Sequence, residues 1–331
     1  MAPARLQSIR RHFRTIYKRK TTTTATTKPE ATATSSDGGY VAGRRPGRRP
    51  TLSRARRPVP LTPGVVELLA HVTDPVDGAA IRYIYEKLPR MRPLLELHPP
   101  ARFEKRDVFT TLVRSIIWQQ LSGQAATVVW LRLLRMLDAQ VPGSVRCLEP
   151  PLVLDPVAIA GMPGPQLFRE SGLSNRKSDT ILEAARAFVA EPDRFVKLND
   201  GSATDEEIIH TLVQLRGVGV WTAHMVMMFG MRRSNVFPIG DLAIRKAFAE
   251  VFMGLSKAAV QKRVKANTLP TDEDMRRRLR RELGGDGEYL SYISHYMWRA
   301  ANPGFVYPDD RVDHGVTDEW AARSRAQDAR A

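Results

Sequence analysis

Asp241 is the residue of this chain best placed to do chemistry, because of what precedes it. Twenty residues before it stands Trp221, inside Leu215-Arg216-Gly217-Val218-Gly219-Val220-Trp221-Thr222-Ala223, which reads as a tight turn between two helices. Thr204-Asp205-Glu206-Glu207 has the spacing of a capping box, and Ile208, Ile209, Leu212 and Val213 carry the helical period after it. Gly217 and Gly219 interrupt that period, and Trp221 to Phe229 start a second helix. Two glycines permit positive φ, so successive backbone N–H groups can converge outward at the second helix's N-terminus. Such a nest suits a phosphate oxygen without any side-chain charge. The unit is a clamp for a nucleic-acid backbone, with an acid following at a fixed distance.

Asp241 itself follows the apolar, turn-forming run Val236-Phe237-Pro238-Ile239-Gly240 and precedes Leu242, Ala243, Ile244 and Phe248 at helical spacing. The position also fits a plain N-cap aspartate. The two roles can coexist, because a helix N-terminus favours negative charge on the carboxylate. A carboxylate fixed in this way can stabilise a developing positive charge and can orient or deprotonate a water. His71, His98, His210, His224, His295 and His314 are scattered without metal-ligand spacing. His224 reads as structural or phosphate-facing. No metal and no redox or nucleotide cofactor is expected.

The hairpin with its trailing acid resembles the helix-hairpin-helix (HhH-GPD) superfamily of DNA glycosylases, and within it the alkylbase branch, the 3-methyladenine DNA glycosylase II type. Three other segments resemble the same family in the same order. They are Ile116-Ile117-Trp118-Gln119-Gln120-Leu121-Ser122, Gly172-Leu173-Ser174-Asn175-Arg176-Lys177, and Ser291-Tyr292-Ile293-Ser294-His295-Tyr296-Met297-Trp298-Arg299. With the hairpin they place the resemblance over about residues 100 to 305. Two departures stand out. Gly285-Asp286-Gly287-Glu288-Tyr289 lacks the Trp-x-Pro-x-Arg pattern often found before the closing helix, and nothing matches the extra N-terminal α/β domain of some bacterial members.

The resemblance implies a monofunctional DNA glycosylase of base excision repair. It would flip alkylated purines (3-methyladenine, 7-methylguanine) out of duplex DNA and hydrolyse them away, with Asp241 as the catalytic carboxylate. A base made cationic by alkylation is a good leaving group, so one carboxylate suffices. Strand-cutting relatives carry a lysine nucleophile where this chain has Trp221, which implies that water attacks here. Trp221, Met225 and Trp118 would line the base pocket, Trp221 offering a π face to a cationic base. A core aromatic beneath the hairpin is the plainer reading of Trp221. Gly217, Val218, Gly219 and Thr222 would grip the DNA backbone, with Arg176 and Lys177 beside them. Gln119, Gln120 and Leu121 lie where the family places the wedge that fills the gap left by a flipped nucleotide. The matching residue is Gln120, and helix-terminal capping by these glutamines fits as well. A monovalent cation at the hairpin carbonyls is implied by resemblance alone. Two rivals stay open: a glycosylase for uracil, deaminated or etheno bases, and a non-catalytic helix-hairpin-helix DNA-binding module.

The elements that must position these residues are helices. Val65, Val66, Leu68 and Leu69 begin one, and Ile81, Ile84, Tyr85 and Leu88 another. Phe109, Leu112, Val113, Ile116 and Ile117 mark a strongly apolar helix ending near Ser122-Gly123, and Ala126 to Leu137 mark the next. Asp155-Pro156 opens a short helix, and Ser174 caps the helix carrying Ile181, Leu182, Ala185 and Phe188. The expected fold is all-α and two-lobed. Residues 254–287 read as an elaboration whose acids at Asp272 to Asp274 and arginines at 276–281 complement a helix dipole. A solvated helix is the simpler account of that pattern, and a DNA-contacting ridge the other.

Charge and cysteines set the remaining bounds. The net charge is +16, but residues 1–60 hold fifteen Lys/Arg against Glu30 and Asp37, leaving 36 basic and 33 acidic residues for the rest. A nearly balanced body must grip DNA by local arrangement more than by bulk field. Residues 1–60 are expected to be a disordered basic extension, 61–320 the helical domain with its hairpin at 204–229, and 321–331 a tail. Leu6, Ile9, Phe13 and Ile16 among arginines resemble an organelle transit peptide, and Gly43-Arg44-Arg45-Pro46-Gly47-Arg48-Arg49-Pro50 faintly resembles an AT-hook. A solvated basic tail or nuclear-import signal fits equally, so nucleus and mitochondrion (or another organelle) are both expected destinations. Cys147 is the single cysteine, which excludes the four-cysteine iron–sulfur cluster of some relatives. No apolar run reaches a membrane-spanning length, and the partner expected is damaged double-stranded DNA, bound by a monomer.

Overall fold

The computed structural model describes residues 59–98, 103–141, 143–146, 152–162, 169–285 and 287–302. The transit-peptide-like and AT-hook-like segments, Cys147 and the tail at 321–331 lie outside the described residues. Fourteen helices are described: α1 (Pro63–Ala70), α2 (Pro75–Lys87), α3 (Arg92–Leu97), α4 (Val108–Trp118), α5 (Gly123–Gln140), α6 (Pro156–Ala160), α7 (Asn175–Ala190), α8 (Pro192–Asp200), α9 (Asp205–Val213), α10 (Val220–Phe229), α11 (Leu242–Val251), α12 (Lys257–Lys265), α13 (Asp272–Leu283) and α14 (Leu290–Ala301). The all-α expectation holds. The one strand pairing described is the two-residue antiparallel ladder of β1 (Val145–Arg146) with β2 (Val153–Leu154).

Nine of the fourteen described helices begin where a side chain supplies an acceptor for the orphan N–H groups of the first turn. Asp74, Ser122, Asp155 and Ser174 cap α2, α5, α6 and α7. Thr204 and Thr271 close full capping boxes on α9 and α13. Helix α4 is buried along its whole length, packed on α5, α7 and α10. The middle of the chain, α4 to α10, gathers around it as one lobe. The other lobe joins the two ends, since α14 packs on α2, α3 and α11. The elaboration is α12 and α13. Val260 and Leu269 bury against Ala249 of α11 in a small separate cluster. Along α13 an exposed ion pair joins Arg277 to Glu273 and a half-buried one joins Arg278 to Glu282, while Met275, Leu279 and Leu283 are buried.

A buried polar knot ties the closing helix to the front of the chain. Tyr292 on α14 donates to Asp77 Oδ1 at 2.5 Å, and Arg232, in the connection after α10, reaches Asp74 at 2.6 Å and Asp77 at 3.3 Å. Arg232 sits at φ 57, a left-handed conformation costly for a side-chain-bearing residue. Burial raises the Asp77 carboxyl above the usual range, against the Tyr292 hydroxyl and Arg232, which lower it. Arg232→Ala is expected to strand Asp77 without its cation and cost about 1–3 kcal/mol. A lower urea-unfolding midpoint would show this, and an unchanged midpoint would mean that Asp77 needs no cation.

Candidate functional site

The hairpin closes as the glycines demand, though in unequal ways. Gly217 is left-handed at φ 80, and a Cβ there would land on the Thr180 side chain. Gly219 is extended, φ −102 and ψ 177, so only one of the two glycines needs positive φ, a correction to the expected nest. A Cβ on Gly219 would meet nothing within 4 Å. Packing within the chain therefore does not require glycine at 219, and the space over it is open to a close approach from outside. Val218 turns inward as the hairpin's anchor, while Gly217, Gly219 and Val220 face solvent. Gly219 is the N-cap of α10 and supplies no side-chain acceptor. The first-turn N–H groups of Val220, Trp221 and Thr222 have no partner inside the helix, which is what an anion site requires.

Asp241 is the N-cap of α11. Its Oδ1 accepts from the N–H groups of Ala243 (2.8 Å) and Ile244 (3.0 Å), and its Oδ2 from Trp221 Nε1 (2.8 Å). Catalytic candidate and pocket candidate are thus one hydrogen-bonded pair, spanning the twenty-residue interval. Three donors fix the carboxylate's orientation, and a carboxylate has about four acceptor sites. One remains for a ligand or a water. The Trp221 ring is half-buried.

Several expected residues lie elsewhere than a cleft surface. Met225 is 2% exposed and belongs to the core, because beyond its first turn α10 is largely apolar and enclosed. Trp118 is buried on α4, with the Arg114 guanidinium 5.0 Å from its ring centroid. The Thr222 side chain is buried, its hydroxyl accepting from Gln119 Nε2 at 2.9 Å, so only its backbone reaches the hairpin's outer edge. His224, one turn from Trp221, is pushed down to about 4 by burial, with Arg276 adding to it, and so stays neutral near neutral pH.

The turn between α4 and α5 departs from expectation in a different way. Gln119 spends its amide on the hairpin, donating to Gly217 O (3.2 Å) as well as to Thr222. Gln120 stands exposed at φ 57, and Leu121 is 40% exposed beside it. Arg176 projects into solvent from the first turn of α7. Lys177 does not. Its ammonium donates to Ile117 O (2.7 Å) and Gln119 O (2.6 Å), and burial lowers its pKa. The phosphate contact expected of its side chain is replaced by a cap on α4. Thr180 beneath Gly217 and the indole–carboxylate bond were not foreseen from sequence. The hairpin spacing limits where a partner for Asp241 can stand, but not which ring edge faces it.

Residues 113–271 match the family model of the HhH-GPD superfamily base excision DNA repair proteins. The chain is 29% identical over 180 residues to the DNA-3-methyladenine glycosylase of Saccharomyces cerevisiae, covering 52% of this chain and 58% of the relative. It is 28% identical over 158 residues to DNA-3-methyladenine glycosylase 1 of Schizosaccharomyces pombe, covering 45% and 60%. The match thus spans under two thirds of either yeast protein. A structure of the S. pombe 3-methyladenine DNA glycosylase in complex with abasic DNA aligns at 21% identity and TM-score 0.48, over 72% of this chain and 96% of that one.

The two hairpin glycines should separate in the test tube. Gly217→Ala is expected to lose roughly 1–3 kcal/mol of stability from left-handed strain and the clash with Thr180. Gly219→Ala should unfold like the parent but bind duplex DNA more weakly, since its methyl group points only outward. Denaturant curves and a DNA titration on both variants check this. Equal DNA affinity for Gly219→Ala and the parent would remove the close approach at that residue.

Proposed function

We propose that this chain, which carries an HhH-GPD domain, is a monofunctional DNA glycosylase of base excision repair acting on alkylated purines such as 3-methyladenine and 7-methylguanine. The observation that carries the reading is the Trp221–Asp241 pair at the mouth of the hairpin. Trp221 holds the position at which strand-cutting glycosylases need an amine, and its indole nitrogen carries no nucleophilic lone pair. The carboxylate, its orientation set by Trp221 and the α11 N-terminus, is the group left to answer the sugar's developing positive charge.

Duplex DNA is gripped through the N–H groups at the head of α10 and by the exposed Arg176, and the target nucleotide is turned out toward Trp221. The N-glycosidic electron pair leaves with the base. An alkylated purine is already cationic, so it departs neutral and needs no acid. Asp241 stabilises the oxocarbenium-like sugar, and its remaining Oδ2 acceptor site orients the water that adds to the sugar carbon, takes up the proton that water loses, and passes it to solvent. The products are the free base and an intact strand with an abasic site. The protein acts as a monomer in this scheme.

Incubation of the purified protein with methylated duplex DNA should release 3-methyladenine or 7-methylguanine, identified by chromatography, with no strand cleavage. Asp241→Asn is expected to lower single-turnover release by about 100- to 1000-fold while duplex affinity holds. Release at the parent rate would remove the mechanism, and efficient borohydride trapping of a protein–DNA adduct would overturn the water route. Trp221→Phe keeps an aromatic face but deletes the indole N–H, so kcat should fall more than KM rises. If KM alone changes, the bond to Asp241 has no catalytic part.

A further inference from the structure

Lys177 is in the wrong place to stabilise its own helix. It is the third residue of α7, at the positive end of that helix's dipole, where a cation is disfavoured. Its ammonium is drawn instead to the negative end of a neighbouring helix. It donates to the carbonyls of Ile117 and Gln119, among the last of α4. Two of its three protons are thereby committed to backbone that lacks intrahelical donors. Burial lowers its pKa, the cost of holding a cation away from water. Arg176, its exposed neighbour, bears no such cost. An arrangement that costs α7 dipole energy and costs the ammonium hydration stabilises something other than α7.

What it stabilises is the turn that follows. Gln119 is held from one side by Lys177 on its carbonyl, and from the other by the hairpin through its own amide. Between these two anchors and the Ser122 cap of α5 the chain has only Gln120 and Leu121. Gln120 is thereby kept left-handed, a conformation that persists in a non-glycine residue only when its surroundings over-determine it. Both side chains project outward, beside the hairpin that contacts the backbone. We propose that Lys177 is a positioning residue for DNA penetration: by capping α4 it fixes the Gln120–Leu121 turn at the height where it enters the duplex as the nucleotide leaves. This rests on the glycosylase reading above. Lys177 itself touches neither phosphate nor base.

The test uses the intact chain and Lys177→Met, which keeps the buried stem and deletes the donors. Single-turnover release from methylated duplex should fall by about 10- to 100-fold, as for a misplaced catalytic framework. A 2-aminopurine beside an abasic-site analogue should lose its fluorescence response in the variant, while the salt dependence of duplex binding keeps its slope. Lys177→Arg, which can donate to both carbonyls, should restore most of the release. The proposal is overturned if release and 2-aminopurine response both match the parent. It is also overturned if the salt slope falls by about one, because the ammonium would then contact a phosphate. Should Lys177→Met not fold, hydrogen exchange in Lys177→Gln decides. Faster exchange at the amides of Gln119 to Ser122, with α4 otherwise unchanged, supports the proposal, and unchanged exchange there overturns it. Failure of the glycosylase reading shows separately, as a parent protein that releases no base yet still gives the 2-aminopurine response.

Discussion

Burial of α4 is the constraint on which the site depends. Every residue from Val108 to Trp118 is buried, so the helix can neither slide nor rotate without opening the core on several sides. Its N-terminus is locked by Asp107, which accepts from Thr110 N and Thr110 Oγ1. Its C-terminus therefore emerges at one place, beside α10 and α7. The turn, the hairpin and Lys177 are built around that exit. Hydrogen bonds refine the arrangement, but packing sets where they can form.

The body of the protein carries almost no net charge outside its first sixty residues, and its site is made accordingly. In the proposed scheme anion binding falls to backbone dipoles at the head of α10, while the carboxylate is held by the first-turn N–H groups of α11 and one indole N–H. Dipoles fixed by packing need no reorganisation when a charge arrives, which is the property that electrostatic catalysis requires. The cations near the site are used in other ways. Lys177 serves a helix end, and Arg114 lies between the Trp118 and Trp130 rings. Arg176 is left to face solvent.

Much of this was legible in the sequence where local chemistry decides it. Thr204 with Glu207, Ser174 and Asp155 announce helix starts, and each caps one. The spacing from hairpin to acid was enough to single out Asp241, while its bond to the Trp221 indole came only with the structure. What was not legible depends on which way a side chain turns. Lys177 follows Arg176 in a loop-then-helix motif, and nothing local says that one points out and the other in. The direction is set by the carbonyls of α4, sixty residues away in sequence. Met225 misleads for the opposite reason. A one-turn spacing from Trp221 implies a shared face, but α10 is enclosed, and only its first turn has a face open to a ligand. Thr222 lies in that first turn, yet its side chain is claimed by Gln119.

A tryptophan in place of a nucleophilic amine changes what the acid must do. With an amine present, a carboxylate can serve as its proton acceptor, and the covalent bond to the sugar offsets the charge. With an indole present, the proposed mechanism forms no covalent bond from the protein, and the carboxylate alone faces the sugar's charge. The indole N–H then acts on Asp241 rather than on the substrate. It takes one acceptor site on Oδ2, while the two backbone donors of α11 take Oδ1, so the acid cannot rotate to present a different lone pair. That rigidity suits a reaction whose leaving group is already activated, since the protein has only to place one negative charge and one water. On the proposed reading it also narrows the substrates, because a neutral base would need a proton donor and the Trp221 indole N–H is already spent on Asp241.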